Sequence, residues 1–199
     1  MKIKTNFNPI SCKQAEGDCL TNRKRRSSEA FLLGLLAGDG TKHLAKNGRY
    51  MVWIDQHIKN IKILEKARNI LRDLGFNVFF YPIQENKKRI MVYSKKLFQQ
   101  FDEMMKNTTQ FFLSLDENEK KEFIAGFLDA EGTATDRIVI YNSNKNLLES
   151  MKEFLAKFGI KGYVYKFGKI FGLQIYRKDS INILKKEIES SVKLSPLSG

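Results

Sequence analysis

Two short stretches of this sequence each end on a carboxylate followed by a glycine, a pairing that could hold a metal ion. Residues 32–40 read LLGLLAGDG and residues 124–132 read IAGFLDAEG. Small residues recur at Gly34 and Gly38, and again at Gly126 and Ala130; four-residue spacing puts each pair on one helix face. Helices with such faces can bring their backbones into contact, which would set Asp39 beside Glu131. Each acid then sits at the negative end of a helix dipole, where a carboxylate is disfavoured and something positive must compensate. A divalent cation bound by Asp39 and Glu131, with the backbone carbonyls of Gly38 and Ala130 and water, meets that need. Hard oxygen ligands favour Mg2+, with Mn2+ as a substitute. One such helix is ordinarily plain core; two in register, inside halves with one order of elements, point to function.

The elements that must position these acids read as a repeat. A helix over residues 28–40, capped by Ser27 or Ser28 and stopped by Gly40, is followed by strands at 41–47 and 49–56 joined at Gly48. An amphipathic helix over 59–74 stops at Gly75, a hairpin pairs 77–83 with 89–94 around a turn at 84–88, and a helix over 95–105 closes the half. Residues 106–115 read as a linker. The order then returns: Asp116 and Glu119 form a capping box before the second motif, strands span 133–142, a helix runs from Lys145 towards Gly159, a hairpin spans 161–176, and a helix spans 180–190. The halves are therefore 28–105 and 116–192. Residues 1–27, ending in Arg23, Lys24, Arg25 and Arg26, read as an extended basic arm, and 193–199 as a disordered tail.

Bulk properties narrow the partner. Of 199 residues 42% are hydrophobic, enough for one large domain or two halves sharing a core. A net charge of +13 favours a polyanion, with nucleic acid first. Cys12 and Cys19 have no further Cys or His at metal-ligand spacing, which argues against zinc and for free thiols in a reducing, cytoplasmic setting, organelles included. The most apolar run, residues 30–37, is too short to span a bilayer.

Both motifs, and the repeat over residues 28 to about 190, resemble those of single-chain LAGLIDADG homing endonucleases. The resemblance implies an α+β fold in which tandem αββαββα halves pack through the motif helices, and two saddle-shaped antiparallel sheets straddle double-stranded DNA. It implies metal-dependent hydrolysis of both strands of a long asymmetric site by a monomer with internal pseudo-symmetry. The family's metal-binding acid falls at Asp39 and Glu131, whereas Asp129 occupies an earlier slot held by Ala37 in the first motif. Polar residues at the end of the second strand of each half assist catalysis in that family; those slots hold Gln56 with His57, and Asn142 with Ser143. A lysine common there is missing, and Lys42, Lys59 and Lys145 are the candidates to replace it.

Strand alternation separates a core face, with Val52 and Ile54, from a DNA-reading face. The residues expected to meet DNA are Lys42, His43, Arg49, Met51, Trp53, Asp55, Lys87 and Arg89 in the first half. In the second they are Arg137, Tyr141, Lys161, Tyr163, Tyr165, Gln174 and Tyr176. The phenylalanines near helices, including Phe112, Phe123 and Phe127, read as core rather than as a base-stacking platform. The rival reading is an intron RNA-binding splicing maturase on the same fold, with intron RNA as partner.

Overall fold

The structure, a computed structural model, describes residues 16–194, with side chains from residue 21. Among them the order is α1 (Glu16–Asp39), β1 (Gly40–Leu44), β2 (Tyr50–His57), a 3-10 turn (Ile58–Asn60), α2 (Ile61–Asp73), β3 (Val78–Gln84), β4 (Lys87–Tyr93) and α3 (Lys95–Lys106). There follow α4 (Thr108–Ser114), α5 (Glu117–Glu131), β5 (Gly132–Ala134), β6 (Ile138–Asn142), α6 (Lys145–Ala156), β7 (Tyr163–Phe167), β8 (Ile170–Ile175) and α7 (Lys178–Glu187). The class is α+β, in two αββαββα halves.

Each half forms a four-stranded antiparallel sheet in the same order, β1-β2-β4-β3 and β5-β6-β8-β7. The core lies between the sheets and the helices behind them. Val52, Ile54, Ile90 and Val92 of the first sheet and Ile138, Ile140, Leu173 and Ile175 of the second point into it. Phe112, Phe123 and Phe127 are wholly buried beside them. Side-chain caps fix where helices begin: Asp116 Oδ1 accepts from Glu119 N at 2.8 Å while Glu119 Oε2 accepts from Asp116 N at 3.0 Å. Gly75 and Gly159 end the second helix of each half at φ of +87° and +78°, where a side chain would be strained.

Two expectations are corrected, and the connection between the halves gains a helix. The segment 16–27 is not an extended arm: α1 begins at Glu16, so neither Ser27 nor Ser28 caps it, and Arg23 to Arg26 are exposed residues within its N-terminal half. Nothing in that polar stretch breaks a helix that the buried part already nucleates. The expected arm at 1–15, with Cys12, and the Cys19 side chain lie outside the described residues. The linker is helical, because Asn107 accepts from Gln110 N at 3.1 Å and Phe112 needs burial. The hairpin turn shrinks to Glu85 and Asn86, with an irregularity at Pro82 on the edge strand β3, so that Lys87 and Lys88 pair with His57 and Gln56.

Candidate metal centre and nucleic-acid interface

Helices α1 and α5 run in the same direction and make the most extensive contact between any two elements. The small residues explain why. A Cβ at Gly126 would stand 2.8 Å from Leu35 N and 2.9 Å from the Phe31 carbonyl carbon, and one at Gly34 would stand 2.9 Å from the Phe123 carbonyl carbon. At Gly38 a Cβ would strike the Ala130 methyl and lie 2.8 Å from Glu131 Cγ. Glu131 therefore folds across Gly38, beside Asp39, and both carboxylates occupy the adjoining helix ends.

The sheets supply their partners. Gly40 is paired with Ile54 and Gly132 with Ile140, the same register after each motif. Two residues further along, on the core-facing parity, come Gln56 and Asn142. Gln56, only 7% exposed, donates through Nε2 to Asp39 Oδ2 and accepts from Asn60 Nδ2 at 3.1 Å. The Asn142 amide acts on Glu131 in the equivalent way, its own oxygen accepting from Asn144 N at 2.8 Å.

Burial pushes the Asp39 carboxyl above its ordinary range, while Lys193 and the Gln56 hydrogen bond pull it back. Burial likewise raises Glu131, repulsion from Asp39 adds to this, and Lys193 and Asn142 oppose it. Two half-buried, mutually repelling carboxylates at the negative ends of helices form a site that gains by holding a cation. Among the described residues no cluster of three or more His, Cys, Asp or Glu side chains could hold a metal. The groups here that could hold an ion are the two carboxylates and the backbone carbonyls beside them, such as those of Gly38 and Ala130, a hard oxygen set that would fit Mg2+ or Mn2+.

Sequence reasoning missed Lys193. The expected tail bends back at 191–194 instead of trailing away; residues 195–199 lie outside the described part. Leu194 and Ile188 are buried, and Lys193 Nζ donates to Gly132 O at 2.6 Å and Ala130 O at 3.4 Å. Asp129 holds this turn: its carboxylate accepts from Ser191 Oγ at 2.7 Å, Val192 N at 2.9 Å and Lys193 N at 3.0 Å. An acid buried in an otherwise apolar motif helix was the one signal in the sequence that such a donor set existed.

Other expected residues are placed differently. His57 falls on the outer parity of β2, away from Asp39, and its Nδ1 accepts from Lys59 N at 3.1 Å to cap the 3-10 turn. Lys42 shares the core parity with its partner Val52, pairs with Asp102 and lies 5.8 Å from the Phe98 ring centre, so it is on the opposite parity from His43 and turned towards α3. Lys145 stands 6.0 Å from the Phe171 ring centre, and Lys59 belongs to the 3-10 turn. The lysine whose charge acts on Asp39 and Glu131 is Lys193 instead.

On the outer sheet faces, His43 pairs with Met51, and Trp53 and Asp55 follow on the same parity. Arg89 grips Asp55 through two 2.6 Å hydrogen bonds and lies 4.8 Å from the Trp53 ring centre. Arg49 stands 5.9 Å from the Tyr93 ring centre, and Lys87 is exposed beside His57. In the second sheet Arg137, Tyr163, Gln174 and Tyr176 line one shallow cleft with Asp136. Tyr141 neighbours it, and its hydrogen bond with Tyr165 helps hold the Tyr165 hydroxyl up at about 12. Lys161 is exposed at the start of that hairpin, where its N–H donates to Ser180 Oγ at 2.9 Å. No helix among the described residues is long and apolar enough to cross a membrane.

Known proteins resemble this chain in sequence or fold. Homing endonuclease I-DmoI of Desulfurococcus mucosus is 28% identical over 181 residues, 84% of this chain and 90% of that protein. An uncharacterized protein of Methanocaldococcus jannaschii, MJ0314, is 26% identical over 185 residues, 82% of this chain and 68% of that one. The crystal structure of I-DmoI in complex with DNA and Mn superposes with a TM-score of 0.67 at 26% identity, covering 84% of this chain and 99% of that one. The N-terminal LAGLIDADG domain of DUF199/WhiA shares the fold at 16% identity and a TM-score of 0.62, covering 85% of this chain and 86% of that one. The profile of the LAGLIDADG-like domain matches residues 27–106 and again 118–189, and with its two motif helices packed together the chain belongs to that family.

Proposed function

We propose that this chain is a site-specific, divalent-metal-dependent DNA endonuclease of the homing type, acting as a monomer inside a reducing compartment. The observation that carries the reading is the meeting of Asp39 and Glu131 at the ends of α1 and α5, with Arg49, Lys87 and Arg137 on the outer side of the two sheets. The positive charge and the sheet faces attract and orient a duplex through its phosphates. Arg137, Gln174 and the tyrosines of the second sheet are suited to base edges. Asp39 and Glu131 would hold Mg2+ or Mn2+, which when bound would activate water and stabilise charge developing at a scissile phosphate. Gln56 fixes the Asp39 carboxylate through its Nε2, and Asn142 does so for Glu131, so the acids keep their aim without themselves attacking the phosphate. Likeness to I-DmoI, a homing endonuclease solved with DNA and Mn, supports the reading.

Incubating the full chain with a plasmid library in Mg2+, with EDTA as control, tests it. Metal-dependent double-strand cuts within one long site are expected; intact plasmid alongside tight binding of structured intron RNA would establish the maturase instead.

A further inference from the structure

The second motif carries an acid, Asp129, that the first lacks, and it is wholly buried and answered by three hydrogen bonds from one short segment, residues 191–193. Lys66 holds the residue just before that segment by donating to Ser190 O, and lies 3.7 Å from the Phe31 ring centre. The effect of this anchoring is to deliver one ammonium, Lys193 Nζ, to the carbonyls of Ala130 and Gly132, which flank Glu131. These are carbonyls of the α5 terminus, where the helix dipole is most negative. The field of that ammonium acts on both Asp39 and Glu131.

We propose that Lys193 is a built-in cation of the two-carboxylate centre, a positioning residue carried on a C-terminal strap that Asp129 pins. The inference rests on the metal-dependent reading above. Without a divalent ion, Lys193 offsets the repulsion between Asp39 and Glu131 and lets α1 and α5 stay in contact. When an ion binds, the same charge opposes it and Lys193 competes for the Ala130 carbonyl, so Lys193 sets the affinity of the centre. It also supplies the basic group that the strand-end slots Gln56, His57, Asn142 and Ser143 lack.

The test uses the full-length chain with Mn2+ as probe, followed by electron paramagnetic resonance, beside thermal melts in EDTA. Lys193→Met should bind Mn2+ roughly tenfold more tightly, the order expected when a unit charge leaves the neighbourhood of a divalent ion in a partly solvated site. Lys193→Arg should match the parent. In EDTA the Lys193→Met protein should melt below the parent, and adding Asp39→Asn should recover most of the loss, since removing one repelling carboxylate replaces the missing cation. A merely packed lysine would give unchanged Mn2+ affinity and no recovery, which overturns the proposal while leaving the metal centre standing. If neither protein binds Mn2+, the metal centre itself is gone, and the role of Lys193 with it.

Discussion

Replacing Gly126 by alanine is the sharpest perturbation of the helix pair. In an isolated helix the change would stabilise by about 1 kcal/mol through propensity. Here the new methyl carbon would stand 2.8 Å from Leu35 N and 2.9 Å from the Phe31 carbonyl carbon, where ordinary contact begins at 3.4 Å. Both neighbours are helical backbone and cannot rotate aside, so α1 and α5 must part. A gap of about 0.5–1 Å forfeits a quarter to a half of the attraction in each affected contact. Overpacking in cores costs about 1–3 kcal/mol, and rigid neighbours place this site at the top of that range. Net of propensity, the loss is about 2 kcal/mol, or about 4–8 °C in Tm for a chain of this size. Cleavage should fall further than stability, because parting the helices carries Asp39 away from Glu131. Gly75→Ala is the control: its φ of +87° makes alanine strained, yet nothing lies within 4 Å and the site is remote, so stability should fall and cleavage of the folded fraction persist. Melts and single-turnover cleavage of both variants decide the matter. A Gly126→Ala protein as stable and active as the parent would refute the close packing of the motif helices.

Asp39→Asn should reduce cleavage by at least about 10²–10³-fold while gel-shift affinity for the target stays within a few fold, since phosphate contacts carry binding. Gln56→Ala should cost about 10–100-fold in cleavage or metal affinity by freeing the Asp39 carboxylate, measured at saturating DNA. Because the folded-state values of Asp39 and Glu131 are raised, the native metal-free protein binds protons more tightly than the unfolded chain; their contribution is therefore lost as pH rises from about 4 through the raised values. Urea midpoints in EDTA should show that decline, and it should be shallower in Asp39→Asn. Lys87→Ala should weaken binding and reduce the slope of log affinity against log salt by about 1, as loss of one phosphate contact does; an unchanged slope would take Lys87 off the phosphates.

The repeat, the motif helices and the core parity of the strands were legible because each rests on local periodicity: small residues four apart, apolar residues two apart, and glycines at helix ends. Gln56 and Asn142 came from the family resemblance, and the strand register then placed both on the core-facing parity beside the acids. What stayed hidden depends on contacts distant in sequence. Lys193 lies 62 residues beyond Glu131, and only the folded chain shows that Asp129 turns the segment back; hydropathy of residues 193–199 gives no such sign. Lys42 was misplaced because β1 is short and polar, and its facing is set by pairing with Val52 and by Asp102 on α3. The helical extension of α1 and the helix at Thr108–Ser114 carry mixed polar residues, so packing and caps decide them more than pattern.

The most direct test of the central claim is an anomalous difference map, at the manganese edge, from crystals of the chain bound to its target duplex. The account predicts density between the Asp39 and Glu131 carboxylates, against the scissile phosphates. Manganese bound elsewhere, with those two side chains apart, would contradict it.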